Sequence, residues 1–169
     1  VARIARYNPA MRWILLLRDP AERALSHFHM QRQRDREGWP MWPAVLLERW
    51  RLHGHADDFA RSSPLRRHSY RLRGDYARQL DALHAHFPRA QVLLLHNREL
   101  REHPTQALCK VCDFLGIEPV PGALHAETVF AGDYPAPPRN GLDMRWLRWL
   151  LRREYRDLRQ RYGIAFDDD

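Results

Sequence analysis

The sequence predicts an α/β protein with a parallel sheet. Two short apolar runs, MRWILLL at 11–17 and QVLLL at 91–95, each lie next to segments of helical periodicity and are bounded by turn signals. Strands that alternate with helices pack as layers around a parallel sheet. Two strands are few for a stable sheet, so the reading expects the rest from residues upstream of Val1 or from a partner.

The elements follow in order. Residues 11–17 read as a buried strand. Asp19 then caps a helix, with Pro20 at its first position and Glu22 where a capping-box acid belongs. Ala21, Ala24, Leu25 and Phe28 recur at helical spacing and give that helix its buried face. Its distal part, Gln31 to Glu37, is highly charged and reads as solvated. Gly38 to Pro43 breaks the pattern, Ala44 to His53 reads as another helix, and the basic, aperiodic stretch Arg61 to Arg73 reads as a loop. From Asp75 a second helix brings Tyr76, Leu80, Leu83 and Phe87 to one face, ends at Pro88 and leads to the second strand. Pro104 opens a helix with Leu108, Val111, Cys112 and Leu115 inward and Gly116 as its stop. Residues 117–142 are proline-rich and without period, a length of loop that is often functional. Asp143 to Tyr162 closes the chain as an amphipathic helix, with Leu147, Leu151, Tyr155, Leu158 and Tyr162 in register and Gly163 as its cap.

Composition narrows the class. With 169 residues the chain has the size of one domain with a real core. Its longest apolar run, Trp13 to Leu17, is far too short to cross a bilayer, and Arg18-Asp19-Pro20 follows it without the flanks of a signal peptide. The formal charge is +7, and of 28 basic residues only Lys110 is a lysine. Arginine's planar fork suits phosphate, sulfate and carboxylate groups, although a GC-rich, bacterial genome produces the same bias. Cys109 and Cys112 are the only cysteines. With no second pair they read as core residues of a helix rather than a redox or zinc pair, and no metal site is expected.

One junction carries chemistry. Arg18 stands at the carboxyl end of a strand, where ligands collect in open α/β sheets, and beside the positive end of a helix. Ser26 follows the Asp19 cap by seven residues, two turns along. Arginine supplying charge and serine a neutral hydrogen bond make a candidate clamp for one phosphate. The plainer alternative is a surface ion pair beside an incidental serine.

Resemblance extends that reading. LLLRDPAERALSHF resembles the 3′-phosphate-binding motif of sulfotransferases that use 3′-phosphoadenosine 5′-phosphosulfate (PAPS), in particular the carbohydrate and heparan-sulfate type and its bacterial relatives. RGDYARQLDALHAHFPRAQVLLLHNREL and HPTQALCKVCDFLGIEP are similar to that family's later blocks, so the likeness covers roughly residues 11–119 in order. It implies a P-loop-kinase-like three-layer α/β fold with a parallel sheet, truncated at the N-terminus, and a single sulfotransferase-like domain over 1–169 that forms the C-terminal portion of the full domain. It also implies transfer of a sulfuryl group from PAPS to a hydroxyl or amine, without a metal. Arg18 and Ser26 become ligands of the 3′-phosphate. Arg139, with Asn140 and Gly141, is the nearest counterpart of a late nucleotide-binding loop, while Gly74 and Tyr76 match structural positions and Glu99 caps the turn after the strand.

Two family features have no counterpart. The glycine- and lysine-bearing loop for the 5′-phosphosulfate belongs well before Arg18, yet none of the 17 preceding residues is glycine or lysine. None of them is Glu, Asp or His either, so the catalytic base is unassigned. His27, His29, His53, His55 and His96 read as surface or packing residues. This chain alone is expected to be inactive, in a cytoplasmic protein without a membrane segment or nucleic-acid partner. Its acceptor is open: an acidic glycan or peptide suits the charge, and a small hydroxylated metabolite remains an option. The competing class is a non-enzymatic module for nucleic acid or acidic polysaccharide, with Arg61, Arg66, Arg67, Arg71 and Arg73 as its basic loop and Tyr70 as a stacking residue.

Overall fold

The computed structural model describes residues 1–118 and 141–166. The chain divides into two compact units, one built from Val1–Arg18 and the chain from Arg78 onward, the other from Asp19–Ala77 and the C-terminal helices.

The first unit holds α1 (Ala2–Tyr7), β1 (Trp13–Leu17) and β2 (Val92–His96). The two strands pair in parallel, in register from Trp13 opposite Val92 to Leu17 opposite His96, so their carboxyl ends finish level. This parallel pairing bears out the predicted α/β class. The expectation of a fully buried first strand needs correction. Leu17 is buried, but Ile14 and Leu16 are 41% and 45% exposed. Successive side chains of a strand point to opposite faces, and the described residues cover only one face of β1. On that covered side the indole of Trp13 meets the edge of buried Phe87 at 5.4 Å.

Two helices follow β2, α7 (Asn97–Glu102) and α8 (Pro104–Leu115). Gly116 ends α8 in the left-handed region at φ 71°, where the amides of Gly116 and Ile117 satisfy the carbonyls of Asp113 and Cys112. The inner face of α8 is shallower than its periodicity implies. Ala107 is its buried residue, Leu108, Val111 and both cysteines are half-buried, and Leu115 is exposed. Glu99 pairs with Lys110, tying α7 to α8.

The second unit starts with α2 (Pro20–Gln33), whose Ala21, Ala24, Leu25 and Phe28 are buried as the sequence predicts. Downstream of it the irregular part of the sequence is more structured than its pattern implies. The single helix expected from Ala44 to His53 is two short ones, α3 (Met41–Leu46) and α4 (Glu48–Arg51). The expected loop at 61–73 contains α5 (Pro64–His68) and a 3-10 turn, Leu72–Gly74. The signal for α5 is local: Ser63 accepts from the amide of Arg66 and Pro64 takes the first helical position.

What fixes this region is a pair of buried carboxylates. Asp35 adopts φ 52° at the end of α2, a left-handed turn that Asp tolerates better than most residues, and the chain then runs inward. Glu37, predicted to be solvated, is 4% exposed. It accepts from both guanidinium nitrogens of Arg51 at 2.7 and 3.3 Å, from the Tyr70 hydroxyl at 2.6 Å and from the Trp39 amide at 2.9 Å. Gln31 is buried too. Glu48, 2% exposed, accepts from the backbone amides of Arg71 and Leu72 at 2.5 and 2.8 Å. Each acid thus replaces its lost hydration with aimed donors.

Helix α6 (Tyr76–His84) carries the chain from the second unit into the first, and Tyr76, Leu80, Leu83 and Phe87 are all buried. The C-terminal helix is two segments, α9 (Leu142–Leu150) and α10 (Arg152–Tyr162), parted at Leu151. The amide of Leu151 still bonds to Leu147 and that of Tyr155 to Leu151, so Leu147, Leu151, Tyr155 and Leu158 keep one buried face. Gly163 caps α10 at φ 67°.

Replacing Glu48 by alanine strands two backbone amides away from water, each worth about 1–3 kcal/mol. Glu48→Ala is expected to lower unfolding stability by about 2–4 kcal/mol, read by urea denaturation. A loss below half a kcal/mol, roughly the level of an ordinary surface change, would show that Glu48 does not hold the 71–72 backbone.

Candidate functional site

Arg18 leaves β1 at its carboxyl end, level with the point where His96 ends β2 and α7 begins. It is half-buried. Ser26, also half-buried, lies on α2 in the second unit. The two proposed phosphate ligands therefore belong to different units. Arg139 and Asn140 lie outside the described residues, while Gly141 is the N-cap of α9.

The start of α2 differs in one respect from a helix end open to an anion. Pro20 has no amide hydrogen, the amide of Ala21 donates to the Tyr155 hydroxyl at 3.2 Å, that of Glu22 to Asp19 Oδ1 at 2.8 Å, and that of Arg23 to the Asp19 carbonyl at 2.9 Å. The Tyr155 hydroxyl in turn donates to Asp19 Oδ1 at 2.8 Å, and Arg148 stands 3.8 Å from its Oδ2. All first-turn donors are satisfied within the chain. The first-turn amides of α2 are therefore already engaged within the second unit. Gly74 packs against the same first turns, where an added Cβ would stand 3.5 Å from Arg23 and Pro20. Alanine fits there in ordinary contact.

The second unit contains a cavity of about 520 Å³, lined by His27, Met30, Gln31, Arg34, Arg36, Arg61, Ser62, Arg66, Arg67 and Arg73. Its volume is that of a small-molecule site. Its α2 wall begins one residue after Ser26. Buried Tyr70 backs the wall, its ring 5.0 Å from that of His27 and its hydroxyl on Glu37. This corrects the use of Tyr70 as a stacking residue, because at 0% exposure it cannot meet a base. Sequence reasoning found the arginines of 61–73 but missed Arg34, Arg36 and Gln31, which follow Ser26 on the segment it read as solvated.

Electrostatics in this wall are positive. Burial, then the charges of Arg73 and Arg23, lower the pKa of His27 to about 3. Its Nε2 lies 3.2 Å from Gln31 Nε2. Held neutral so far down, His27 is a weak proton acceptor at working pH and does not suit a general base. Burial also lowers His68, with Arg51 adding to it in spite of Glu37. His29 is lowered by burial as well, and no group of three or more candidate metal ligands occurs among the described residues. No helix among them is long and apolar enough to cross a membrane.

Comparison with known proteins adds the family. The sulfotransferase domain family matches residues 3–128, a span that includes Arg18 and Ser26 but not Arg139. The crystal structure of a sulfotransferase from Alicyclobacillus acidocaldarius is similar with a TM-score of 0.72 at 23% sequence identity, over 98% of this chain. The chain spans 60% of the length of that protein. That likeness bears out the fold expected from the sequence blocks. No match is found among curated proteins.

Two measurements check the local chemistry. Tyr155→Phe removes a donor to Asp19 and an acceptor for the Ala21 amide, and is expected to destabilise the protein by about 1–3 kcal/mol in thermal or urea unfolding. His27 binds its proton at 6.5 when unfolded and near 3 when folded. As pH falls from 6.5 towards 3 the unfolded state takes up the proton first, so stability declines over that window. His27→Gln is expected to flatten that part of the stability–pH curve, and an unchanged slope would contradict the assignment.

Proposed function

Because the chain belongs to the sulfotransferase domain family, we propose that the protein it represents transfers a sulfuryl group from PAPS to a hydroxyl or amine acceptor. The observation that carries this reading is the family match across the strand–Arg18–helix–Ser26 segment, together with the position of Arg18 at the carboxyl end of a parallel strand.

In this reading Arg18 supplies the charge and the planar fork for the donor's 3′-phosphate, and Ser26 adds a neutral hydrogen bond. These contacts select PAPS over adenylates that lack the 3′-phosphate. Since the α2 amides are satisfied by Asp19 and Tyr155, discrimination rests on the side chains. Arg139 joins them as the counterpart of the family's late nucleotide loop, supported by the sequence resemblance. During transfer the acceptor's oxygen or nitrogen attacks sulfur in line, the bond from sulfur to the nucleotide breaks, and the acceptor's proton passes to a base. Arg18, Ser26 and Arg139 serve donor recognition in this scheme. This chain by itself is read as inactive, and a cytoplasmic location in a bacterial cell is the reading the bacterial structural neighbour supports.

Calorimetry on the complete gene product tests the reading. The product nucleotide, 3′-phosphoadenosine 5′-phosphate, is expected to bind more tightly than 5′-AMP. Arg18→Ala is expected to reduce that preference by about ten- to a hundredfold, since a hydrogen bond to a charged group contributes about 1.5–3 kcal/mol. Equal affinity for the two nucleotides in the unaltered protein would overturn the assignment.

A further inference from the structure

The cavity of the second unit is lined by six arginines, Arg34, Arg36, Arg61, Arg66, Arg67 and Arg73, and, among the described residues, by no carboxylate. Like charges in a shared recess repel one another, and a cluster of this kind is stabilised by an anion placed among them. Three further observations point the same way. The Nε of Arg67 is buried and, among the described residues, has no hydrogen-bond partner. The Oε1 of Gln31 in the same wall is likewise buried without a partner. The pKa of Arg73 is lowered, by desolvation first and then by the charge of Arg66, as expected of one cation set beside another.

The wall behind these groups is stiff. Glu37 fixes Arg51 and Tyr70, and Tyr70 stands against His27, so the cavity is formed before any ligand arrives. The two buried carboxylates of this region, Glu37 and Glu48, are turned away from it into their own donors. Neither of them lines the recess that the arginines share. Arg18 and Ser26 do not line it either.

We infer that this cavity is a second anion site, separate from the proposed 3′-phosphate clamp, that binds a ligand bearing two or more oxoanionic groups and at least one hydroxyl or amide hydrogen to meet Gln31. Its volume admits a ligand of about disaccharide size, or the charged end of a longer one. Resting on the sulfotransferase reading, the ligand is the sulfate acceptor, and the acceptor class is then an already acidic molecule rather than a neutral phenol or alcohol.

The test is calorimetry of the complete gene product with tripolyphosphate, a trisulfated disaccharide and the same disaccharide unsulfated. Both anions are expected to bind, more weakly as salt rises, and the neutral sugar is not. Arg66→Gln/Arg67→Gln is expected to weaken the trisulfated sugar about tenfold or more. Arg34→Gln/Arg61→Gln, on exposed positions, is expected to do the same and covers the case in which the first pair perturbs folding. Arg18→Ala and saturating 3′-phosphoadenosine 5′-phosphate are expected to leave the affinity unchanged. Unaltered affinity in both arginine pairs overturns the site, as does full competition by the nucleotide, which would make the cavity part of the donor pocket. Binding only to long nucleic acid, with none to the small anions, also overturns it. If the sugar binds and the nucleotide does not, the cavity stands and the donor reading fails.

Discussion

The buried carboxylate of Glu37 organises the part of this chain that has the least regular sequence. An ionised acid removed from water is unfavourable by several kcal/mol unless donors replace its hydration. Four groups from three stretches do so: Arg51 from α4, His68 at 3.2 Å and Tyr70 from the end of α5 and just after it, and the Trp39 amide. Burial pushes the Glu37 carboxyl up, but Arg51, Tyr70 and the Trp39 amide together more than offset this and hold it below the ordinary carboxylate range. Glu48 repeats the device with backbone donors, although there burial dominates and its pKa is raised. Short helices such as α3, α4 and α5 are too brief to be stable by themselves. Of these, α4 carries Glu48 and the Arg51 that meets Glu37, and α5 ends at His68 beside Glu37, so the two acids hold them in place.

That arrangement has a direct electrostatic consequence. Both acids turn inward to meet their donors, and the arginines of the same stretches are left facing the cavity. The charge separation places a positive recess on a rigid wall. It also explains why His27 is held neutral: it is buried and meets the field of Arg73 and Arg23 without a carboxylate beside it. The same buried tyrosine that braces the wall is withdrawn from any stacking surface, which weakens the case for a nucleic-acid module more than the charge supports it.

The first unit works on a different principle. Its sheet is held by parallel pairing and by Trp13 against Phe87, and it brings Arg18 level with the end of β2. The positive end of α2 is already neutralised by Asp19 with Tyr155 and Arg148 around it. The first-turn amides of α2 are thus engaged within the chain, and in the proposed reading donor selection falls to side chains.

Much of the framework was legible in the sequence. The runs at 11–17 and 91–95 are strands because they are apolar and β-compatible, and the Asp19-Pro20 cap, the buried face of α2 and the Gly116 and Gly163 stops follow from local stereochemistry. Other features depended on distant residues. Gln31 and Glu37 look like solvated polar positions, and nothing within a few residues says that Arg51 and Tyr70 will reach Glu37. Nor does local pattern show that β1 is covered on one face, or that Arg34 and Arg36 join Arg61, Arg66, Arg67 and Arg73 around one cavity. Periodicity reports which face of an element is apolar. Only the tertiary structure decides which buried charge finds its donors, because those donors come from elsewhere in the chain.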